Sequence, residues 1–375
     1  MPIDKTAIDL SIGEPKHVTP SFILDALIEN LGSSNIYPVT RGSDELRTTI
    51  SNWLIQRFNL PSDSIHADKH ILPVNGTREA IFAFAQFAID HRQKNPAVII
   101  PNPFYQIYEG AAILADAEPV YVNCESKNNF LPDFDSITPG TWKRCQLLYL
   151  CSPGNPTGAV IDQATLIELL DLADKYNFII AADECYSELY FDEDHPPVGL
   201  LQAAANSGRV EYTRCIVFHS LSKRSNVPGI RSGFVAGDSN LISQFLRYRT
   251  YHGCAMPIFI QSASIAAWQD EVHVMQNRSL YREKFSKVLG MLSPVMEVNQ
   301  PQGGFYLWPK TPIADTDFAL GLFSSQNITV LPGSFISRDT NNANPGQNRL
   351  RIALVPPLNE CVTAAERICE YIKTI

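Results

Sequence analysis

Lys223 stands among small hydroxyl residues in the run Ser220-Leu221-Ser222-Lys223-Arg224-Ser225. It follows the apolar stretch Cys215-Ile216-Val217-Phe218, which reads as a buried strand. Arg231 comes eight positions later, between Gly229 and Gly233, glycines that let backbone approach a ligand. A lysine at a strand end can form a Schiff base with a carbonyl, and a serine/arginine pair beside it can hold a phosphate. On this segment alone, a plain strand followed by a polar loop remains an alternative.

Pyridoxal 5'-phosphate (PLP) offers both a carbonyl and a phosphate, and four further segments suit it. Asp183, in Ala181-Ala182-Asp183-Glu184-Cys185-Tyr186, ends another apolar run. A carboxylate there can keep a pyridine nitrogen protonated, so that the ring accepts electrons. Tyr186 can hydrogen-bond the phenolic oxygen of the same ring. Asn155, in the rigid turn Ser152-Pro153-Gly154-Asn155-Pro156-Thr157-Gly158, can donate to that oxygen too. Two such donors would lower the pKa of a lysine Schiff base toward neutrality. Gly76, Thr77 and Arg78 open an apolar helix, and free N–H groups at a helix start bind phosphate. Tyr105 follows a strand and can stack on the pyridine. Each segment has a structural alternative: an N-cap for Asp183, a simple turn for Asn155, a capped helix start at 76–78, packing for Tyr105.

The elements that must position these residues are legible in the pattern. Ile71–Val74, Ala97–Pro101, Gln146–Cys151, Phe178–Ala182, Arg214–His219 and Gly233–Gly237 are short, nearly all-apolar strand candidates. Amphipathic stretches alternate with them, such as 162–176 with Leu166, Leu169, Leu170 and Ala173 on one face. Asp44–Phe58 reads as a helix ahead of them. The alternation predicts an α/β fold with a mostly parallel sheet covered on both faces. Ligands of such sheets sit at the carboxyl ends of the strands, where these motifs fall. Beyond about residue 285, strands are expected at Val295–Val298, Gly304–Trp308, Thr329–Leu331 and Leu350–Leu354. A loop is expected at 337–348, and a closing helix at 359–375 capped by Asn359.

The chain has 375 residues, enough for a large domain and a smaller one. Its net charge of -9 argues against nucleic acid or an anionic membrane as partner. The eight cysteines form no C-x-x-C pair, which removes zinc-ribbon and thioredoxin-like readings and fits a reduced, cytoplasmic protein. The N-terminus lacks the apolar core of a signal peptide, and no stretch is long enough to span a bilayer. No metal site is expected. No G-x-G-x-x-G follows a strand, which disfavours a dinucleotide enzyme.

In order and approximate spacing, these segments resemble the class I/II aminotransferases, PLP enzymes of fold type I. The resemblance spans essentially the whole chain. It implies a seven-stranded, mostly parallel sheet in an α/β/α sandwich with a smaller α+β domain. Expected boundaries are 1–45 for an N-terminal segment shared with the small domain and the dimer interface, 46–285 for the large domain and 286–375 for the small one. Leu10-Ser11-Ile12-Gly13-Glu14-Pro15 is similar to the family's N-terminal segment, where the Gly13 backbone would meet substrate. Tyr37 matches a tyrosine that reaches the phosphate of a neighbouring subunit, which implies a homodimer. Asn348-Arg349-Leu350-Arg351-Ile352-Ala353-Leu354 resembles the strand whose arginine, here Arg351, grips the substrate α-carboxylate. Tyr105 stands where the aspartate enzymes often have tryptophan.

Within the family, 11–17, 76–80 and 249–257 are most similar to N-succinyl-diaminopimelate aminotransferase. The implied partners are small-molecule amino and keto acids: glutamate/2-oxoglutarate with N-succinyl-2-amino-6-oxopimelate/N-succinyl-LL-2,6-diaminopimelate, in lysine biosynthesis. Arg41, Arg249 and His252 are candidate donors for the distal anionic groups. The alternatives are a transaminase for aspartate, an aromatic amino acid or kynurenine, and a carbon–sulfur lyase of the same fold. A PLP-sensing regulator is disfavoured, because the chain starts directly with the enzyme-like segment and is acidic.

Overall fold

A computed structural model describes residues 5–340 and 343–375. Twelve strands are present among them. In chain order they are β1 (Ile8–Asp9), β2 (Ile71–Val74), β3 (Ala97–Asn102), β4 (Glu118–Asn123), β5 (Cys145–Cys151), β6 (Ile179–Asp183), β7 (Cys215–Ser220), β8 (Gly233–Gly237), β9 (Tyr306–Leu307), β10 (Ile328–Thr329), β11 (Leu331–Pro332) and β12 (Leu350–Ala353).

Seven of them form one sheet in the order β2-β8-β7-β6-β5-β3-β4. Only β8 runs antiparallel to its neighbours. The strands are apolar on both sides because both faces are covered. Leu148, Leu150, Ala182 and Val217 face one core, with the helices Asp44–Phe58 and Gln163–Tyr176. The intervening Leu147, Tyr149, Ala181, Ile216 and Phe218 face a second core, with the helices Thr77–Ala88 and Ser239–His252. The result is the expected α/β/α sandwich.

The expected strands recur within a residue or two. The sequence reading missed β4, whose residues are mostly half-exposed and whose second position is Pro119. That pattern suits a sheet edge, where a missing N–H and a weak apolar signal are tolerated.

A third core lies apart from the sheet. Ile8 and Leu10 pack there with Val288, Leu307, Leu322, Ile352 and Ile368. Here the expectations need correction. Val295–Val298 is not a strand: Met296 and Val298 are buried, but the backbone joins no ladder. The expected strand 329–331 divides into two. β10 pairs with β1, and β11 pairs with β12, with Val330 between them. The closing helix is Leu358–Ile372, and its N-cap is Pro357, so Asn359 lies inside the first turn rather than capping it. The helix Val272–Leu292 runs unbroken through the expected boundary at 285/286. Positions 341–342 of the expected loop, and 1–4 of the expected N-terminal segment, lie outside the described residues. Among the described residues no helix is long and apolar enough to cross a membrane, and no group of three or more side chains could hold a metal ion.

Candidate active site

Three adjacent parallel strands set the site. In register, Cys151 of β5 lies beside Asp183 of β6, and Asp183 beside Phe218 of β7. The segments that follow these strand ends therefore meet: the Asn155 turn, the 184–186 turn and the Ser220–Lys223 turn. They open onto a cavity of about 610 Å³. Gly13, Thr77, Arg78, Tyr105, Asn155, Asp183, Tyr186, Ser220, Ser222, Lys223, Arg231 and Arg351 all line it. Of the residues predicted to meet the cofactor or the α-carboxylate, two do not. Gly76 lies just behind Arg231. Tyr37 is almost fully exposed on the outer surface.

Lys223 sits in the short helix Leu221–Arg224, whose N-cap Ser220 accepts from the Ser222 N–H at 3.1 Å. Its ammonium donates to the Gly13 carbonyl and lies 5.4 Å from the Phe305 ring centre. Burial pushes its pKa down to about 8. A lysine in this state readily supplies the neutral amine that a carbonyl needs.

Asp183 is buried, and desolvation raises its pKa. Hydrogen bonds to the carboxylate oppose that: the Tyr108 hydroxyl donates at 2.7 Å and the Cys185 N–H at 3.2 Å. A cationic partner such as a pyridinium N–H would complete the compensation. Tyr108 escaped the sequence reading because it sits inside an apolar helix, Gln106–Leu114, and looks like core.

The phosphate candidates cluster. Gly76 has φ 82°, and a Cβ there would lie 2.3 Å from Nη2 of Arg231. Glycine is thus required both for the turn and for the approach of the guanidinium. A Cβ on Gly233 would lie 3.3 Å from Thr77 Cγ2 and 3.5 Å from Ser220 Cα, which puts those two residues side by side. Arg78 Nε donates to the Tyr105 hydroxyl at 2.6 Å and so holds the ring.

Arg351 projects from β12. Nη1 donates to Asn155 Oδ1 at 3.1 Å, and Nη2 to the Ser11 carbonyl at 2.7 Å. Its buried Nε has no partner among the described residues. Because Arg351 takes the Asn155 oxygen, the Asn155 amide NH2 is left to donate elsewhere. Tyr306, also unremarked in the sequence reading, lines the cavity with its hydroxyl 3.1 Å from that of Tyr186.

The three candidates for a distal anion do not line this cavity. Arg249 is fully buried, and its charge is taken by Glu79 at 2.7 Å. Arg41 pairs with Asp68 at 2.8 Å on the surface. The exposed His252 lies 3.0 Å from Cys254 Sγ. Helix Ser239–His252 turns Arg249 inward, where a buried guanidinium needs a carboxylate.

The donor set fits PLP: a lysine poised to deprotonate, a buried carboxylate, two donors for a phenolic oxygen and a glycine-lined arginine/serine cluster. Comparison with known proteins agrees. Residues 5–368 match the model of aminotransferase class I and II. An LL-diaminopimelate aminotransferase of Aquifex aeolicus (strain VF5) is 31% identical over 367 residues, covering 96% of this chain and 90% of the relative. The crystal structure of an aminotransferase from Neisseria meningitidis Z2491 is 51% identical with a TM-score of 0.94, covering 98% of this chain and 93% of that one. A "probable N-succinyldiaminopimelate aminotransferase" from Thermus thermophilus shares the fold, with a TM-score of 0.87 at 24% identity over 98% of this chain and 95% of that one. This chain belongs to the class I and II aminotransferases, enzymes that use pyridoxal phosphate.

Proposed function

We propose that this aminotransferase exchanges an amino group between glutamate/2-oxoglutarate and N-succinyl-2-amino-6-oxopimelate/N-succinyl-LL-2,6-diaminopimelate, in the cytoplasm. The observation that supports it most is a single cavity lined both by Lys223, whose pKa burial lowers to about 8, and by the guanidinium of Arg351. The eight free cysteines fit a reducing compartment. The names of relatives such as the Aquifex enzyme favour a second reading, with unacylated LL-diaminopimelate at the same site.

When bound, PLP supplies an electron sink for the charge left on the substrate α-carbon. The protein's residues do the rest. Arg351 holds the α-carboxylate and so aims the α-carbon. Lys223, whose lowered pKa makes its neutral amine available, would carry the proton of that carbon. Asp183 keeps the pyridine nitrogen protonated. Asn155 and Tyr186 donate to the phenolic oxygen, and Tyr105 stacks on the ring. Ser220, Ser222, Arg231 and the 76–78 turn hold the phosphate. The Gly13 backbone borders the substrate.

Tyr37 joins the phosphate group of a second copy in this reading. The exposed Ile28, Leu31, Ile36, Tyr37 and Val39 support a homodimer through that face. A monomer in sedimentation at all concentrations would remove Tyr37 from the site.

The test is the visible spectrum of PLP-loaded protein mixed in turn with glutamate, N-succinyl-LL-diaminopimelate and LL-diaminopimelate. Loss of the visible band with the first two, restored by 2-oxoglutarate, is expected. Response to the unacylated compound alone would favour the second reading. Release of ammonia without a keto-acid acceptor would indicate a lyase instead.

A further inference from the structure

Tyr306 is 3% exposed, and four observations place it. It is held on β9, paired with Ala353 of β12, two positions from Arg351. Its hydroxyl lies 3.1 Å from the Tyr186 hydroxyl. Its ring centre lies 4.7 Å from the Arg351 guanidinium carbon. The space over its hydroxyl exists because residue 13 is glycine: a Cβ there would come 1.8 Å from the Tyr306 oxygen.

Proton accounting gives the pair a direction. A phenolic hydroxyl has one proton to give. If Tyr186 gives its proton to the phenolic oxygen of PLP, it has none for Tyr306, and must receive. Tyr306 is then the donor and Tyr186 the relay. A hydroxyl that accepts one hydrogen bond donates a stronger one. Burial raises the Tyr306 pKa, and the Arg351 cation against its ring offsets part of that rise. We propose that Tyr306 is a positioning residue that acts through Tyr186, fixing it as donor to the cofactor's phenolic oxygen and thereby lowering the pH at which the Lys223–cofactor linkage loses its proton.

Other groups must not be mistaken for this effect. Asp183, Cys151 and Arg351 face the two hydroxyls, while Cys185, Glu14 and Arg78 face Lys223. Burial raises both thiols out of the neutral range. From the helix Val272–Leu292, Tyr281 faces the same ring cluster, and its own pKa is raised by burial. Lys284 is pushed down to about 8 by burial, but it faces the Tyr281 ring and the Val355 carbonyl. His17 lies against Tyr281, and burial lowers its pKa.

The proposal rests on the PLP reading. It is tested by titrating the visible band of PLP-loaded protein with pH, without substrate, in Tyr306→Phe, Tyr186→Phe and the double variant. Tyr306→Phe should raise the midpoint by about half a unit to one unit. In the Tyr186→Phe background the same change should add nothing, since the relay is already gone. An unchanged midpoint in Tyr306→Phe, with the band intact, overturns the proposal. So does an equal shift in both backgrounds, which would mean that Tyr306 acts without Tyr186. A raised KM with an unmoved midpoint would make Tyr306 a substrate contact and likewise overturn it. Absence of any band in the unmodified protein would instead remove the PLP reading.

Discussion

Lys223 is held in a protein environment that works against its charge. Its pKa is about 8 in the fold and near 10.5 in the unfolded chain, because burial strips water from the ammonium. Between those values the unfolded chain binds more protons, so stability rises with pH through that window. Below about pH 8 the cost of the buried charge is fully present. The cofactor-free Lys223→Met variant should therefore be more stable than the parent near neutral pH, with the advantage shrinking toward pH ~10. Urea midpoints at the two pH values check this, and a parent as stable as the variant at neutral pH would contradict it. At this scale most of the site was legible. Residues with distinctive chemistry after the ends of sheet strands announce themselves: Lys223, Asp183, Asn155; Arg351, inside β12, was found only through the family resemblance. Tyr108 and Tyr306 did not, because a tyrosine in an apolar run reads as core, and only the partner of its hydroxyl shows otherwise. Arg249 misled in the opposite sense. Its charge suggested a ligand, but Glu79 already takes it.

The segment after β6 is the element on which the site depends, since it presents both Asp183 and Tyr186. A buried charge cluster anchors it. Glu188 accepts from Arg57 Nε at 2.7 Å, and Arg278 of the helix Val272–Leu292 lies 3.9 Å from its other oxygen. Arg278 also makes paired bonds to Glu193 at 3.0 and 2.7 Å. Burial pushes the Glu188 carboxyl up, but Arg57, Arg224 and Arg278 together hold it below its ordinary value. Its stabilising contribution is therefore present at neutral pH and fades as pH falls through the depressed pKa. Glu188→Ala leaves the largely buried Arg57 guanidinium without its carboxylate and should cost about 3–5 kcal/mol at pH 7. A urea midpoint unchanged from the parent would show that the cluster is not an anchor. None of this was visible in the sequence, where Arg57, Glu188 and Arg278 are far apart. The sheet strands, in contrast, were legible because both-face burial leaves a continuous apolar run. The small-domain strands are two to four residues long, too short for a period-two pattern to separate strand from buried loop. That is why Val295–Val298 was misread and 329–331 was merged.

At the scale of the whole molecule, the two cores of the sheet and the third core made with Ile8 and Leu10 come together around one cavity. Lys223 and Asp183 come from the carboxyl ends of the sheet; Arg351 comes from β12 and Gly13 from the N-terminal segment, whose Leu10 carbonyl accepts from the Ala353 N–H at 2.8 Å. The fold class followed from the alternation of apolar runs and amphipathic helices. Arg351, Lys223 and the Ser220/Ser222/Arg231 group line that cavity from one chain, and the exposed Tyr37 face is where the proposed second copy would sit. The central claim is that Lys223 alone bonds the cofactor, and Lys284 offers an internal control. Lys284 is buried and Lys223 half-buried, and both are pushed to about 8, but only Lys223 lines the cavity. The most direct measurement is borohydride reduction of the PLP-loaded protein followed by peptide mass mapping. The account predicts one reduced cofactor adduct, on Lys223. An adduct on Lys284 or any other lysine, or none, would contradict it.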